Sequence, residues 1–323
     1  MDEGEIATRF KLGITLRRMT KFDAAAAAFD KVAAADKDYP SLALERAVLF
    51  EASGQAGKAL EMYEAARAKA PDDPDLMLRV AAALLATGGT ANAAKSEEML
   101  RKVLQVRPNS AEANHYMGRA LLAKGTALAE ALRSLERARD GDPNRAEYWL
   151  YVGWAANDAD QQAKAAEALN KALELDRSMA DAYWQRGVLR RRQRAVIDAE
   201  ADLKKALELR PSRFEAYATL AALYEDQQKW PAALDAWNRA VSQNGNRGDW
   251  RFRLGKLMTQ QGNRAGALEH LTKAHDLAMA SEAKPAWLAD CALNLADAER
   301  AAGKKELAVQ HYAYCPALMD NLV

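Results

Sequence analysis

Two consecutive stretches of the chain, 146–179 and 180–213, repeat the same pattern of residues 34 positions apart. Equivalent positions carry the same kind of side chain in both: Trp149 and Tyr183, Gly153 and Gly187, Ala165 and Ala199, Leu169 and Leu203, and Ala172 and Ala206. Self-similarity at a period of this size is typical of arrays of two-helix units, in which each unit buries its apolar face against its neighbours. The chain is therefore expected to fold as a stack of similar units.

Each unit has the pattern of two amphipathic helices joined as a hairpin. Apolar and small residues recur at three- and four-residue steps within 149–156 and again within 165–172, which is the spacing of one helix face. Gly153 lies inside the first of these helices, where glycine costs about 1 kcal/mol relative to alanine. A glycine that recurs at this phase predicts that another backbone approaches too closely for a side chain.

The order of these residues resembles the tetratricopeptide repeat: a large aromatic residue, an apolar residue followed by glycine or alanine, then alanine, a large apolar residue, alanine and a closing proline. About nine copies in phase cover nearly the whole chain. The resemblance implies an all-α, right-handed α-solenoid of antiparallel helix hairpins, forming a single domain over 1–323. The units are expected at 6–39, 40–73, 74–110, 111–145, 146–179, 180–213, 214–247, 248–281 and 289–322, with an irregular insert at 282–288.

Three places depart from the regular pattern. The segment "TGGTANAAKSEEML" makes the third unit three residues too long, which predicts a long turn there. Pro316 is expected to end the last helix, because proline lacks the N–H that a helix interior needs. The tail "PALMDNLV" is too apolar for the polar cap that the end of a solenoid requires, so we expect another surface to cover it.

Composition excludes several classes of function. Lysine and arginine number 46 against 45 acidic residues, and a net charge of +1 provides no overall attraction for nucleic acid or an anionic membrane. We therefore expect no nucleic-acid partner. No stretch approaches the roughly 20 apolar residues that span a bilayer, and the start lacks a signal-peptide pattern. The chain as numbered would be cytoplasmic, or periplasmic if a signal or anchor was removed, so its compartment is left open.

No pattern of residues indicates chemistry. The histidines are scattered, and the sequence contains neither a Cys-x-x-Cys pair, a phosphate-binding glycine loop nor a Gly-x-Ser-x-Gly elbow. Cys291 and Cys315 are interpreted as small core residues. The sequence therefore predicts no catalytic residue, no metal site and no cofactor.

The resemblance implies that the first helices of successive units line a concave groove that holds a peptide or an extended segment of a partner protein. Carried over by position, the predicted partner-binding residues are His115, Arg119, Leu150, Tyr151, Trp154, Trp184, Val188 and Arg191. Aromatic and arginine side chains are the usual anchors of protein interfaces. The alternative is that the tryptophans fill space between units.

The other charged and apolar patterns have simpler interpretations. The family's clamp for a C-terminal carboxylate uses lysine and asparagine where the first three units have apolar residues: Phe10 and Ile14, Leu44 and Val48, and Leu78 and Ala82. An acid at the second position of most units is favoured by the helix dipole. The arginine-rich run 190–194 is interpreted as a solvated or salt-bridged face.

Together these features predict a non-catalytic scaffold or adaptor for protein–protein interaction. The alanine-rich, unadorned repeats look similar to bacterial members of the family, many of which assemble envelope, pilus, secretion, motility or export complexes. Two alternatives stay open: the regulatory repeat region of a larger kinase-type or glycosyltransferase-type enzyme, and a scaffold that forms a homo-oligomer through its C-terminal repeat.

Overall fold

The computed structural model describes residues 2–125 and 127–320, with side chains to residue 313. All regular structure in these residues is α-helical. The helices are α1 Glu3–Arg18, α2 Phe22–Ala35, α3 Leu42–Ala52, α4 Ala56–Lys69, α5 Pro74–Thr87, α6 Thr90–Val106, α7 Ala111–Lys124, α8 Leu128–Gly141, α9 Ala146–Asp158, α10 Gln162–Leu175, α11 Ala180–Arg192, α12 Val196–Leu209, α13 Phe214–Asp226, α14 Trp230–Gln243, α15 Gly248–Gln260, α16 Arg264–Ala280, α17 Leu288–Ala301 and α18 Lys305–Asp320.

The helices belong to two compact units, which we call unit 1 (residues 1–175) and unit 2 (residues 176–323). Within each unit, consecutive helices pair as hairpins, α1 with α2 and so on, and successive hairpins pack against each other. The first helices of neighbouring hairpins also touch: α5 contacts α7 and α7 contacts α9 in unit 1, and α15 contacts α17 in unit 2. The organisation as one domain over 1–323 stays a prediction.

The recurring glycine makes room for a side chain rather than for a backbone, which corrects the expectation from the sequence. A Cβ atom on Gly153 would lie 2.6 Å from Cγ of Leu169, whereas the nearest backbone atom is 3.3 Å away. Gly187 and Leu203 repeat this arrangement at 2.8 Å. The leucine of the second helix therefore inserts over the glycine of the first, and this contact is part of the core of each hairpin.

The long turn predicted in the third unit is wrong. Helix α5 ends at Thr87 and α6 begins at Thr90, so the connection is only Gly88 and Gly89, whose φ angles of 78° and 89° favour glycine. The three extra residues lengthen α6 to 17 residues, against 14 in α4. Alanine is abundant at the start of α6, and its high helix propensity favours this extension.

The end of the last helix also differs from the prediction. Helix α18 runs from Lys305 to Asp320 and continues past Pro316. One proline removes a single backbone hydrogen bond, and a helix tolerates this loss with a bend. Cys291 is fully buried, as expected of a small core residue, whereas the side chains of Cys315 and of the apolar tail lie outside the described residues.

Candidate functional site

A small pocket opens on the surface formed by α5, α7 and α9, which we call the first-helix surface of unit 1. Its volume is 180 Å³. The lining residues are Leu85 from α5, Arg119, Leu122 and Ala123 from α7, and Tyr151 and Trp154 from α9. Three of the predicted partner-binding residues, Arg119, Tyr151 and Trp154, thus line one pocket.

Aromatic rings and a guanidinium group are in contact on one side of this pocket. Tyr151 and Trp154 are one helical turn apart, and their rings are stacked with centroids 5.7 Å apart and an interplanar angle of 4°. The Arg119 guanidinium carbon lies 4.8 Å from the Tyr151 ring centroid and 5.5 Å from that of Tyr116. These contacts restrict the rotamers of all three lining side chains. Because Arg119, Tyr151 and Trp154 are only partly buried, each keeps surface for a partner.

His115 supports this surface from below rather than forming part of it. The side chain is 1% exposed, and its ring contacts Tyr116, Tyr148 and Tyr151 at centroid distances of 5.3, 4.8 and 5.0 Å. Burial lowers the pKa of His115. Its Nε2 lies 3.3 Å from Oε1 of Glu147, and its buried Nδ1 has no hydrogen-bond partner among the described residues. The arrangement fits a neutral imidazole that donates from Nε2 to the carboxylate.

Glu147 links the buried histidine to the arginine of the pocket. Its Oε1 atom also lies 3.5 Å from Nη1 of Arg119, and its Oε2 lies 3.5 Å from Nη2 of Arg145. The hydrogen bond with His115 and the two guanidinium groups hold the pKa of Glu147 well below its usual range. The carboxylate is therefore ionised at neutral pH and fixes the orientation of Arg119.

Two predicted groove residues are buried instead of exposed. His115 is one, and Leu150 is the other, with an exposed fraction of 3%. Helix α9 packs against α7, α8 and α10, so only a narrow strip of its surface stays accessible. Neither side chain reaches the surface in this structure, and their role in partner binding stays a prediction.

The remaining three predicted residues, Trp184, Val188 and Arg191, lie in unit 2 and are partly buried. Trp184 Nε1 donates to Oγ1 of Thr219 at 3.1 Å, and the guanidinium carbon of Arg213 lies 4.2 Å from the Trp184 ring. Trp184 also packs against a core cluster built from α12 and α13. Trp184 therefore packs between hairpins while keeping an accessible part, and its predicted role in partner binding stays a prediction.

The arginine-rich run 190–194 makes internal ion pairs, as one interpretation of the sequence predicted. Asp202 is buried, and its carboxylate accepts from Nε and Nη2 of Arg186, each at 2.8 Å, and from Nη1 of Arg190 at 2.7 Å. Arg191 Nε donates to Asp226 at 2.7 Å. All three guanidinium groups thus already pair with carboxylates of unit 2, with Arg186 and Arg190 sharing that of Asp202.

Several first-turn acids also have internal partners, beyond the favourable helix dipole. Asp75 at the start of α5 pairs with Arg107 at the end of α6 at 2.5 Å, and the hydrogen bond lowers the pKa of Asp75. Asp181 of α11 pairs with Arg210 after α12 at 2.9 Å. Each pair joins the two helices of one hairpin.

No group of three or more histidine, cysteine, aspartate and glutamate side chains among the described residues is arranged to hold a metal ion. No helix within the described part of the chain is both long and apolar enough to cross a membrane.

Comparison with known proteins identifies relatives of part of the chain. It is 36% identical over 135 residues to DnaJ homolog subfamily C member 3 of Rattus norvegicus, a match covering 38% of this chain and 25% of that protein. The Bos taurus protein of the same name is 36% identical over 132 residues, covering 38% and 24%. The chain thus spans about a quarter of the length of these curated relatives.

Solved structures show the same fold over more of the chain. A chain of the APC/C hetero-tetramer Cut9-Hcn1 superposes with a TM-score of 0.67 at 15% identity, covering 86% of this chain and 52% of the other. Human IFIT1, solved as a dimer with m7Gppp-AAAA, gives 0.64 at 18% identity, covering 97% and 77%. At these identities the likeness concerns the fold alone, and it confirms the predicted all-α solenoid class.

The family model described as "Tetratricopeptide repeat" matches residues 10–74, 44–102, 117–180 and 218–282. These matches cover more than half of the chain and fall on the helix hairpins of both units. The chain belongs to the tetratricopeptide repeat family.

Proposed function

We propose that this chain is a non-catalytic scaffold that binds a peptide or a helix of a partner protein on the first-helix surface of unit 1. Membership of the tetratricopeptide repeat family supports protein interaction as the general role, since the fold is typically a non-catalytic repeat scaffold. The observation that carries the proposed site is the pocket formed by Arg119, Tyr151 and Trp154.

The size and chemistry of the pocket favour a side chain of a protein over a small molecule. Its 180 Å³ is below the roughly 300–1,000 Å³ of ligand-binding cavities. Arginine and large aromatic residues dominate the energetics of interfaces when they sit in pockets that exclude water. Leu85 and Leu122 add an apolar wall. An apolar or aromatic side chain of the partner would enter here, and Arg119 beside it would donate hydrogen bonds to a backbone carbonyl or a carboxylate of the partner.

The finer role remains part of this proposal. By analogy with the family, the chain would serve in the assembly of a bacterial multiprotein complex of the envelope, pilus, secretion, motility or export type. The near-zero net charge and the internal pairing of Arg186, Arg190 and Arg191 support a protein partner rather than nucleic acid. A regulatory region of a larger enzyme and self-association at the C-terminal repeat are the competing predictions.

The proposal is tested by capturing the partner from cells with the native chain and measuring its affinity by calorimetry. Trp154→Ala should weaken binding by about 2 kcal/mol, roughly 30-fold in Kd, as expected for an interface anchor. Val106→Ala is the matched control, because Val106 is 68% exposed on α6 of the same unit, outside the pocket. Equal affinity of the native chain and the Trp154→Ala variant would contradict the proposed site. Circular dichroism verifies that both variants remain helical.

A further inference from the structure

Unit 2 contains a larger cavity that the sequence did not reveal. It encloses 660 Å³ and is bounded by the end of α13, the start of α14, one face of α15 and the start of α17. Trp230, Phe252 and Trp287 form its aromatic walls, and Arg253 and Lys256 lie on its rim. No predicted partner-binding residue lines it.

The aromatic walls are arranged to receive an apolar group. Phe252 and Trp287 are stacked, with ring centroids 5.4 Å apart and an interplanar angle of 12°. Trp230 packs at the edge of the core cluster of α13, α14 and α15 and stays partly exposed. Trp287 is also partly exposed. Solvent therefore reaches two tryptophan side chains in a cavity whose wall is fixed by packing.

The carboxylates that line the cavity are already engaged by groups of this chain. Glu225, Asp226 and Asp249 each accept a hydrogen bond from a neighbouring side chain. The donors are Trp237 Nε1 to Glu225 at 2.6 Å, Arg191 Nε to Asp226 at 2.7 Å, and Arg247 to Asp249 at 2.9 and 2.7 Å. Arg191 and Arg247 compensate the negative charges of Asp226 and Asp249, whereas the indole that donates to Glu225 is neutral and leaves that charge in place.

The two cations of the rim have no such compensation. Arg253 is exposed and Lys256 partly so, and they stand three residues apart on one face of α15. Arg253 lies 5.9 Å from the Trp237 ring and Lys256 Nζ lies 5.6 Å from the Phe252 ring. Neither forms an ion pair with any side chain that the structure describes. Two unpaired cations, Arg253 and Lys256, against the one carboxylate of Glu225 leave the lining of the cavity with a net positive charge.

We propose that this cavity is a second docking site, and that its occupant is an acidic internal segment of a partner protein with an aromatic or large apolar side chain among its acids. That side chain enters between Trp230 and Trp287, and neighbouring aspartate or glutamate side chains pair with Arg253 and Lys256. Complementary charge would speed the encounter and reject basic segments. This inference rests on the protein-binding function proposed above, but it assigns a different surface and a specific chemistry.

The test selects peptides from a random displayed library on the immobilised full chain. Each peptide is flanked on both sides by fixed linkers, so no free terminal carboxylate is presented. We expect enriched sequences to place aspartate or glutamate beside a phenylalanine, tryptophan, tyrosine or leucine. The best peptide is then synthesised with an amidated C-terminus and a fluorescent label, and its Kd is measured by anisotropy.

The variant Arg253→Glu/Lys256→Glu should raise the Kd of this peptide at least about tenfold, because it places negative charges opposite the acids of the peptide. The variant Arg264→Glu/Lys273→Glu makes the same change in net charge at exposed positions of α16 and should keep the Kd within about twofold. Circular dichroism of both variants verifies the fold.

Three results would overturn the second site: no acidic enrichment, a peptide whose affinity survives Arg253→Glu/Lys256→Glu, or a peptide that is lost with Trp154→Ala. The last result would assign the peptide to the pocket of unit 1. The two proposals fail separately, because a natural partner that binds equally to the Trp154→Ala variant contradicts only the site in unit 1.

Discussion

The ion-pair cluster around Asp202 makes a sharp prediction about stability. Asp202 replaces a small core residue of the repeat, and its side chain is 5% exposed. It holds Arg186 and Arg190, whose side chains are 18% and 28% exposed. Asp202→Ala would remove the carboxylate that these two partly buried guanidinium groups share.

The expected cost follows from the burial of these charges. Removing one partner of a buried ion pair typically costs about 3–5 kcal/mol, and the partial exposure of both arginines favours the lower end. We therefore expect Asp202→Ala to reduce the free energy of unfolding by about 3 kcal/mol. The preceding repeat has apolar residues at the positions equivalent to Arg186, Arg190 and Asp202. They are Val152, Ala156 and Ala168, and all three are buried.

The residues of the preceding repeat suggest a variant that restores the stability lost in Asp202→Ala. The triple variant Arg186→Val/Arg190→Ala/Asp202→Ala copies those residues into unit 2, and buried ion pairs replaced by apolar groups are often neutral in stability. We expect it to recover at least about 2 kcal/mol of the loss, because no charge is left buried. Urea unfolding followed by circular dichroism measures the free energies of unfolding of the native chain and the two variants. An Asp202→Ala variant within about 0.5 kcal/mol of the native chain, or a triple variant no more stable than the single one, would refute the reasoning.

Two further predictions concern packing and pH. Gly153→Ala should lower the free energy of unfolding by about 1 kcal/mol, because overpacking against Leu169 at 2.6 Å outweighs the gain in helix propensity. Gly57→Ala is the control: no atom lies within 4 Å of the added Cβ, so this variant should be neutral or stabilising in the same urea assay. Equal effects of the two substitutions would contradict the packing argument. Burial lowers the pKa of His115 from 6.5, so the unfolded chain binds the proton more readily, and stability should fall as pH drops below about 6.5. His115→Gln keeps an N–H donor for Glu147 and should show a shallower loss of urea midpoint between about pH 7 and pH 5, whereas an identical slope would exclude a neutral buried histidine.

The predictions from sequence succeeded where they depended only on which residue type recurs at a given position of the repeat. The hairpin pattern around Gly153 and Leu169, the family, the all-α solenoid class and the burial of Cys291 follow from a period of 34 residues and from helix faces. The arginine-rich run 190–194 was interpreted as a solvated or salt-bridged face, and Arg190 and Arg191 do form ion pairs. The assignment of eight residues as partner-binding stays a prediction.

The error at Gly153 depended on a contact across a hairpin. The side chain that this glycine accommodates belongs to Leu169, 16 positions later in the second helix. The error at α6 was local, because the three extra residues could extend either the turn or the helix, and the alanine-rich start of α6 favours the helix.

Periodicity along the chain thus determined the repeat, its helices and its family, because helix faces and unit length are local properties that recur. Tertiary packing decided which side chains of each face stay accessible and which charges remain uncompensated. Helix phase places Arg186 and Lys256 on recognisable faces, but only packing shows that Arg186 has a buried carboxylate while Lys256 has an open cavity beside it. The physical reason is that burial and electrostatic pairing arise from neighbours distant in sequence, and these neighbours define the surfaces on which a partner binds.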